Sequence, residues 1–382
     1  MKRRLLLGAV LIATGFGVGA QTKAPIRIGA MFETSGNIAS LGNQGYEGAQ
    51  VVLDQINKAG GVLGRPIELV QINTESDETK SVTAVKRLIE REKVVALVGP
   101  HNSGSNFAIT DTVLKAKLPM VTNGTSMQIA IPPREKPYIF MAQVTDATVI
   151  GVVIEHMKRQ GISKVGLINA DSAFAVSGRE QWERLAPPAG IKIVIQETFG
   201  NSDQDMTPQL TKLRSSDADA VVIWAAGPGF AIAVKNYRQL GINKALYTSH
   251  GCVDPNLARL AGDAINGIVC ASSKIAIWQH LPDSDPQKAG LKSFVDGFQA
   301  KFNRAPSMFA GNGADSLLLV TKAIEKAGGT DPQKIRNALE EMKNVVGLNY
   351  VFSYSPDNHM GIEAASLGLM TIKDQKFVPI AR

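Results

Sequence analysis

The stretch "VVALVGPHNSGS" (residues 94–105) joins an apolar run to a loop of small and polar residues. The apolar part is typical of a buried strand, and a helical pattern follows from about Ser105 to Lys117. Glycines and serines at such a junction offer hydroxyls and backbone N–H groups, and the dipole of the following helix favours negative charge. The stretch therefore predicts a strand–loop–helix unit that can hold a small anion.

The same unit recurs along the chain. From residue 26, strands such as "IRIGAM" alternate with helices such as "GYEGAQVVLDQINKA", and a second series begins near residue 146. Strands alternating with helices of ten or more residues predict βαβ units and parallel sheets. The runs "VVALV" and "AVVIW" do not alternate, as expected when helices cover both sheet faces. Helical patterns at 287–303 and 308–327 follow the strand "ALYTS". The sequence thus predicts an α/β fold of two doubly wound lobes, with several crossings between them.

The N-terminal stretch "MKRRLLLGAVLIATGFGVGAQ" has a basic start, an apolar middle and small residues at Val18 and Ala20. This pattern predicts a signal peptide over residues 1–20, cut after Ala20. The apolar part is shorter than the roughly 20 residues of a membrane span. No cysteine follows the cleavage site, which excludes a lipid anchor there. The mature protein is expected to be soluble and exported.

Charge and cysteine usage exclude some classes of protein. The formal net charge is +7, and loss of the three basic residues of the signal peptide leaves +4. No Lys/Arg run with interleaved aromatics occurs, so nucleic acid is not an expected partner. Cys252 and Cys270 are the two cysteines. In an oxidising compartment they can form a disulfide, but two buried thiols are an equal alternative.

The segments that follow the predicted strands hold the candidate binding residues, because ligands of open α/β sheets bind beyond the carboxyl ends of the strands. These segments are "FETSGNIASLG", "GPHNSGS", "TNGTSM", "NADSAFAVSG", "AAGPGF" and "TSHGCVDP". Ser103 and Ser126 are the first candidates for hydroxyl donors, with the backbones of Ser105 and Thr125 beside them. Any one of these serines could instead only cap its own helix.

Enzymatic and metal sites have weaker support. No G-x-S-x-G elbow occurs, and nothing places a nucleophile, a base and an orienting group together. Ser103 with His101, or His250 with Asp254, are imaginable dyads that chance explains as well. The five histidines are isolated, without metal-ligand spacing. Glycine-rich segments lack both the P-loop lysine and the G-x-G-x-x-G spacing. We therefore expect no enzyme activity, no metal and no cofactor.

The segments "GAMFETSGNIASLGNQGYEGAQVVLDQINKAGGVLGRPIELV", "VVALVGPHNSGS", "LPMVTNGTS" and "YIFMAQVTD" resemble the leucine/isoleucine/valine-binding family of periplasmic proteins. The resemblance covers nearly the whole mature chain and is most specific in "INKAGGVLGRPIEL". It implies a type I periplasmic binding fold, with two Rossmann-like lobes, a three-segment hinge and ligand enclosure by hinge closure. We divide the chain into one lobe of residues 24–145 plus 275–348 and another of residues 146–274 plus 349–382.

The resemblance also implies a ligand site. Ser103 and Ser126 match the positions whose hydroxyls hold the ligand carboxylate in the family, and Thr125 matches a position that contributes a backbone group. Asn102 and Ser105 belong to the same predicted site. Together these residues are predicted to form the end of the cleft that binds the ligand carboxylate.

Three further positions face the rest of the ligand. Leu41 matches a position where some members have an aromatic residue, and Phe174, in "DSAFA", matches a family tyrosine. His250 falls near the acidic residue that holds the ligand ammonium in amino-acid-binding members, and a histidine replaces it poorly. This difference favours a carboxylate without the α-amine, such as an aromatic or keto acid. Glu33 and Asp146 are the candidates for an acid that enters from elsewhere.

The sequence thus predicts a monomeric periplasmic solute-binding protein that delivers a small carboxylate to an inner-membrane ABC permease. The alternatives are a protein that binds branched-chain or other amino acids, an exported ligand sensor, and, with the weakest support, a hydrolase.

Overall fold

A computed structural model describes residues 23–381. The predicted signal peptide therefore lies outside the described residues. Within residues 23–381, no helix combines the length and the apolar character needed to cross a bilayer.

The first sheet consists of five parallel strands in the order β2-β1-β3-β4-β5. Its strands are β1 (Ile26–Ala30), β2 (Ile67–Gln71), β3 (Leu97–Val98), β4 (Met120–Thr122) and β5 (Ile139–Met141). The helices between them are α1 (Ala39–Lys58), α2 (Glu78–Glu90) and α3 (Ser103–Ala116). Parallel neighbours need such crossover helices, which is why apolar runs and helical patterns alternate in the sequence.

A second series builds the other sheet from β6 (Lys164–Ala170), β7 (Lys192–Phe199), β8 (Ala220–Trp224), β9 (Ala245–Thr248) and β10 (Val269–Ser273). Its helices are α4 (Asp146–Arg159), α5 (Ala173–Leu185), α6 (Thr207–Ser215), α7 (Pro228–Gln239) and α8 (Pro255–Ala261). The order β7-β6-β8-β9-β10 repeats that of the first sheet. All five residues of β8 are buried, so helices cover both of its faces.

The last third of the chain completes both lobes. It contributes α9 (Lys288–Phe302), α10 (Met308–Ala327), α11 (Pro332–Glu340) and a small hairpin of β11 (Val345–Val346) and β12 (Val351–Phe352). The strands β13 (Leu367–Lys373) and β14 (Lys376–Pro379) then extend the second sheet in antiparallel fashion beyond β10. Because β13 and β14 come from the chain end, the second lobe is assembled from two separate parts of the sequence.

Helix α10 lies against α1 at glycine contacts. A Cβ atom built on Gly48 would lie 1.9 Å from the carbonyl oxygen of Ala310, and one on Gly313 would lie 1.9 Å from that of Gly45. Only residues without a side chain permit this approach of the two helix backbones. The contact fixes α10 on the first sheet, and Phe309 in its first turn lines the cleft.

Buried hydrogen bonds connect the segments that cross between the lobes. Asp315 accepts the N–H groups of Leu348 (2.6 Å) and Asn349 (2.9 Å). Ser273, at the end of β10, donates to Asn349 Oδ1 at 2.6 Å. Burial raises the pKa of Asp315 to about 7. Two of the crossing segments, at Ser273 and at Leu348–Asn349, are therefore held by one buried polar cluster at α10.

The structure confirms the predicted α/β fold with two doubly wound lobes, and it corrects details. Helix α3 begins at Ser103, two residues before the predicted start, and the strand predicted at 94–99 is limited to Leu97–Val98. Strand β10 lies between "ALYTS" and residue 287, where no strand was predicted. The lobe boundaries at residues 145, 274 and 348 stay a prediction.

Candidate functional site

A cleft between the two lobes encloses about 630 Å³ of space not filled by atoms, including space open to solvent. Most of its walls come from segments that follow strands of the two sheets, and α1 and α10 close it. The lining residues are Asn37, Ile38, Leu41, His101, Asn102, Ser103, Asn123, Thr125, Gln143, Ser172, Ala173, Phe174, Asn201, Ala226, His250, Gly251 and Phe309.

The cleft brings together six of the eight residues predicted to bind the ligand: Leu41, Asn102, Ser103, Thr125, Phe174 and His250. Ser105 requires a correction, because it lies in the packing between α2 and α3. Its hydroxyl accepts a 2.9 Å hydrogen bond from Ser81, and its N–H donates to Asn102 Oδ1. Ser126 also lies outside the lining, fully buried, at the start of a short 3-10 helix that begins at Met127.

The N-terminus of α3 is capped by Asn102, whose Oδ1 accepts the N–H of Ser105 at 3.0 Å. The sequence had left Ser103 and Ser105 as the alternative caps. Since Asn102 takes this role, the hydroxyl of Ser103 is left without a hydrogen-bond partner in the described part of the chain, although Ser103 is only 3% exposed. A buried hydroxyl in a cleft wall needs a partner, and a ligand oxygen can provide it.

The loop after β4 forms the adjoining wall. Asn123 donates from Nδ2 to the backbone oxygen of Asn312 at 2.9 Å, which ties the loop to α10. Its Oδ1 has no hydrogen-bond partner among residues 23–381. Thr125 is 7% exposed and its carbonyl oxygen accepts the N–H of Asp146 at 3.3 Å. Hydroxyls, amides and the start of α3 thus converge on one end of the cleft.

The acids considered as ammonium partners do not line the cleft. Glu33 is fully buried and accepts the backbone N–H groups of Asn102 (2.9 Å) and His101 (3.3 Å). Asp146 accepts a 2.7 Å hydrogen bond from Ser177, and burial raises its pKa to about 8. Asp146 therefore carries its proton at neutral pH, and Glu33 is engaged by the loop after β3.

His250 forms part of an aromatic wall in the second lobe. Its ring lies edge-on to Phe174, with 5.5 Å between the centroids, and 6.3 Å from the ring of Trp224. Burial lowers the pKa of His250 to about 4, so the imidazole is neutral at physiological pH. A disulfide joins Cys252, two residues further along, to Cys270 on β10. The sequence had left two alternatives for these cysteines, a disulfide or two buried thiols, and the structure has the disulfide.

The lining has polar groups but no formally charged side chain of Asp, Glu, Lys or Arg. Ser103 makes no hydrogen bond to a histidine within the described residues, so the nucleophile–base contact of a hydrolase is not formed. No group of three or more His, Cys, Asp or Glu suited to a metal occurs in residues 23–381. The arrangement is suited to holding a small molecule with one polar end and one apolar or aromatic end.

Sequence reasoning missed Gln143, Asn201 and Phe309 in the lining. Asn201 follows β7, which extends to Phe199, beyond the strand recognised in "IKIVIQ". Gln143 follows β5 in a crossing segment, and applying the strand-end rule there would have found it. Phe309 follows no strand, and only the packing of α10 on α1 brings it to the cleft.

The model of the family described as "Periplasmic binding protein" matches residues 25–376. The chain belongs to this periplasmic binding protein family. Among curated relatives, the leucine-, isoleucine-, valine-, threonine- and alanine-binding protein of Pseudomonas aeruginosa is 25% identical over 336 residues, 87% of each chain. These findings confirm the resemblance to leucine/isoleucine/valine-binding proteins.

Solved structures of the family have the same fold. The branched-chain amino acid transporter substrate-binding protein LivJ of Streptococcus pneumoniae, in complex with isoleucine, is 26% identical with a TM-score of 0.81, covering 93% of this chain and 100% of that one. A solute-binding protein of an ABC transporter from R. palustris, in complex with benzoate, is 20% identical with a TM-score of 0.81, covering 94% and 96%. The chain is thus a periplasmic binding protein of the branched-chain amino acid type, and its relatives bind solutes.

Proposed function

We propose that this periplasmic binding protein captures a small carboxylate that lacks an α-ammonium group, such as an aromatic or keto acid, and delivers it to an inner-membrane ABC permease. The observation that supports this most directly is the combination found in the cleft. Unpartnered polar groups lie at the start of α3, a neutral histidine and aromatic rings lie opposite, and no acid lines the walls.

The carboxylate end is formed by Ser103 and Thr125 at the first sheet. Ser103 offers a hydroxyl without a hydrogen-bond partner among residues 23–381, and the dipole of α3 favours a negative charge beside its first turn. Hydrogen bonds to a charged acceptor are stronger than those to a neutral one. This end therefore suits an ionised carboxylate.

The opposite end disfavours an ammonium. Family members that bind amino acids place an acid near the position of His250, and the imidazole here is neutral, since burial lowers its pKa to about 4. An ammonium buried beside a neutral ring and Phe174 would lose its hydration without an ionic partner. An aromatic or other apolar group would instead pack on these rings.

Because residues of both lobes line the cleft, we expect the ligand to be bound by closure of the lobes around it. Ser103 and Thr125 belong to the first lobe, while Phe174 and His250 belong to the second. Only the closed state offers both sets of contacts, so a ligand shifts the equilibrium toward closure.

The ligands bound by two relatives support a carboxylate as the ligand here, but they do not decide whether it also carries an ammonium group. Isoleucine, bound by LivJ, carries both a carboxylate and an ammonium, whereas benzoate, bound by the R. palustris protein, carries only the carboxylate. The amino-acid-binding relative in Pseudomonas aeruginosa favours the second candidate function, capture of a branched-chain or small amino acid. The residues of this cleft, rather than these names, lead us to prefer the first.

Export to the periplasm with removal of residues 1–20, a permease partner and a monomeric state are part of the same proposal. They rest on the N-terminal pattern of the sequence and on the family. Mass spectrometry of protein recovered from the periplasm would test the cleavage after Ala20.

Thermal unfolding of the mature protein with amino acids, aromatic carboxylates, keto acids and dicarboxylates tests the ligand class. A ligand at 100 times its Kd adds about 2.7 kcal/mol to the free energy of unfolding, which gives a readily measured rise in Tm. Stabilisation by carboxylates without an amine is the expected result. Stabilisation by leucine, isoleucine or valine alone would establish the second candidate instead.

A further inference from the structure

The cleft contains two histidines whose surroundings differ, and this difference suggests how it balances the charge of its ligand. We propose that His101 carries a proton in the ligand complex, with Glu33 as its buried counterion, and supplies the positive charge that a bound carboxylate requires. This inference rests on the proposed binding of a carboxylate and adds the residue that neutralises it.

Glu33 and His101 form a close pair in the loops after β1 and β3. Glu33 Oε2 lies 3.7 Å from Nδ1 of His101, and both side chains are almost completely removed from solvent. The carboxylate of Glu33 is held in place by the N–H groups of His101 and Asn102. A fixed buried carboxylate beside an imidazole favours the protonated ring.

The position of the imidazole is also fixed. Its ring lies 5.6 Å from that of Phe32 and 5.9 Å, edge-on, from that of Phe309. On the side of α1, a Cβ atom at Gly45 would lie 2.3 Å from Cε1 of His101, so only glycine leaves room for the ring there. Neither ring nitrogen has a hydrogen-bond partner within residues 23–381. The side chain is therefore held at the cleft wall with unused polar atoms.

The charge near α3 shows why a cation is needed. The carboxylate of Glu33 already occupies two N–H groups at the start of this helix, which is the place where the ligand carboxylate is proposed to bind. Two anions at one helix N-terminus repel each other unless a positive charge lies between them. No Lys or Arg lines the cleft. Among the titratable side chains that line it, His101 lies 3.7 Å from the carboxylate of Glu33.

The elements packed around the ring contribute few other titratable groups. Helix α1 presents Gly45 and α10 presents Phe309, neither of which titrates. The carboxylate of Glu78, at the start of α2, lies against Gly104 in the first turn of α3. This carboxylate therefore lies at the same end of α3 that Glu33 contacts through the N–H of Asn102.

His250, at the opposite wall, has aromatic rings rather than a carboxylate for neighbours, and burial lowers its pKa to about 4. One histidine is thus arranged to be charged and the other to be neutral. The ligand is therefore oriented with its carboxylate toward His101 and its uncharged end toward His250 and Phe174.

Isothermal titration calorimetry between pH 6 and pH 8, in buffers of different ionisation enthalpy, tests the proposal. Benzoate and isoleucine are the probes, because both carry a carboxylate. We expect binding to take up part of a proton and to weaken as the pH rises, by up to tenfold per pH unit where a whole proton is taken up. His101→Gln should abolish the proton uptake, and Glu33→Gln should reduce it. His250→Gln, the matched control, should change the affinity but keep the uptake.

The outcomes separate this inference from the proposed function. Binding of benzoate without proton uptake overturns the role of His101 and leaves the proposed ligand class intact. Binding of isoleucine alone, with uptake that His101→Gln removes, overturns the ligand class and supports the role of His101. Binding of neither probe counts against both.

A second measurement leaves both His101 and Glu33 unaltered. In wild-type protein labelled with ¹⁵N-histidine, the ring nitrogens of one of the five histidines should take the shifts of an imidazolium in the complex at pH 7. Single variants at the other four positions assign the signal. A neutral ring at His101 in the complex would refute the proposal.

Discussion

Ser40 on α1 donates a 2.9 Å hydrogen bond to Oδ1 of Asp254, which precedes α8 in the other lobe. Asp254 is 4% exposed, and burial raises the pKa of its carboxyl. The bond joins the two walls of the cleft beside the ligand cavity. Separation of the lobes would break this bond, so we expect it to stabilise their approach.

Replacement of Ser40 by alanine should therefore weaken ligand binding. Loss of one hydrogen bond to a buried acceptor, made only in the closed state, is expected to raise the Kd by roughly three- to tenfold. Titration calorimetry measures the change. Ser215→Ala is the matched control, because the Ser215 hydroxyl bonds only within α6 at the surface. An unchanged Kd in Ser40→Ala would show that this bond does not contribute to closure.

Two glycines in helices allow a paired test of the contact between α1 and α10. Gly48→Ala places a Cβ atom 1.9 Å from the oxygen of Ala310 and should lower the free energy of unfolding by about 3 kcal/mol. Gly151 on α4 has no atom within 4 Å of a built Cβ, so Gly151→Ala should raise it by up to about 1 kcal/mol. Urea unfolding followed by circular dichroism compares the two. Equal changes in the free energy of unfolding for the two variants would mean that α1 and α10 can move apart at little cost in free energy.

The buried Asp146 should make stability depend on pH. Its pKa is about 8 in the folded protein, because of burial, against an ordinary value of 3.8. Between these values the folded state binds more protons than the unfolded chain, so the free energy of unfolding falls as the pH rises from about 4 to 8. Asp146→Asn should reduce this fall in urea unfolding at pH 5 and pH 8, whereas Asp111→Asn, at an exposed site on α3, should leave it unchanged. A steeper fall of the free energy of unfolding with pH in Asp146→Asn would contradict the predicted direction of the effect of Asp146.

Reduction of the Cys252–Cys270 disulfide should lower the Tm by several degrees. The bond closes a chain segment with a sequence separation of 18, which corresponds to a contribution of about 3 kcal/mol. Differential scanning calorimetry with and without reductant measures it. A double variant, Cys252→Ser with Cys270→Ser, should be insensitive to the reductant. Equal Tm values for the oxidised and reduced protein would exclude a stabilising role.

Replacement of His250 by glutamate should change the ligand class. A carboxylate beside Phe174 would pair with a ligand ammonium, so isoleucine should bind more tightly and benzoate more weakly than to wild type. Competition between the two ligands, followed by calorimetry, measures the ratio of their affinities. An unchanged ratio would show that position 250 does not determine the choice, and His250→Gln controls for the loss of the imidazole.

The fold was predictable because the apolar patterns that mark its strands and helices lie within short stretches of sequence. Buried parallel strands are continuous apolar runs and their helices repeat at helical spacing, so most elements were found from the sequence. Strand β10 was missed because "VCASS" is short and small, and its place beside β9 and β13 depends on long-range pairing.

The site was predictable only in part. The strand-end rule located Ser103, Thr125 and His250 in the cleft, because it depends on the direction of the strands alone. The pairing of Glu33 with His101 was not accessible, since it requires β1 and β3 to be neighbours in the sheet. Ser105 was misplaced because the rotation of α3 about its axis, which decides what each serine contacts, follows from packing against α2.

The arrangement of the chain ends has a consequence for the order of folding. Helix α10, which covers α1, is complete only at residue 327, and β14 of the second sheet only at residue 379. Neither lobe can therefore reach its final packing while the ribosome is still producing the middle of the chain. Contacts over such sequence distances make folding slow. Both lobes therefore acquire their final packing only when synthesis of the chain is nearly finished.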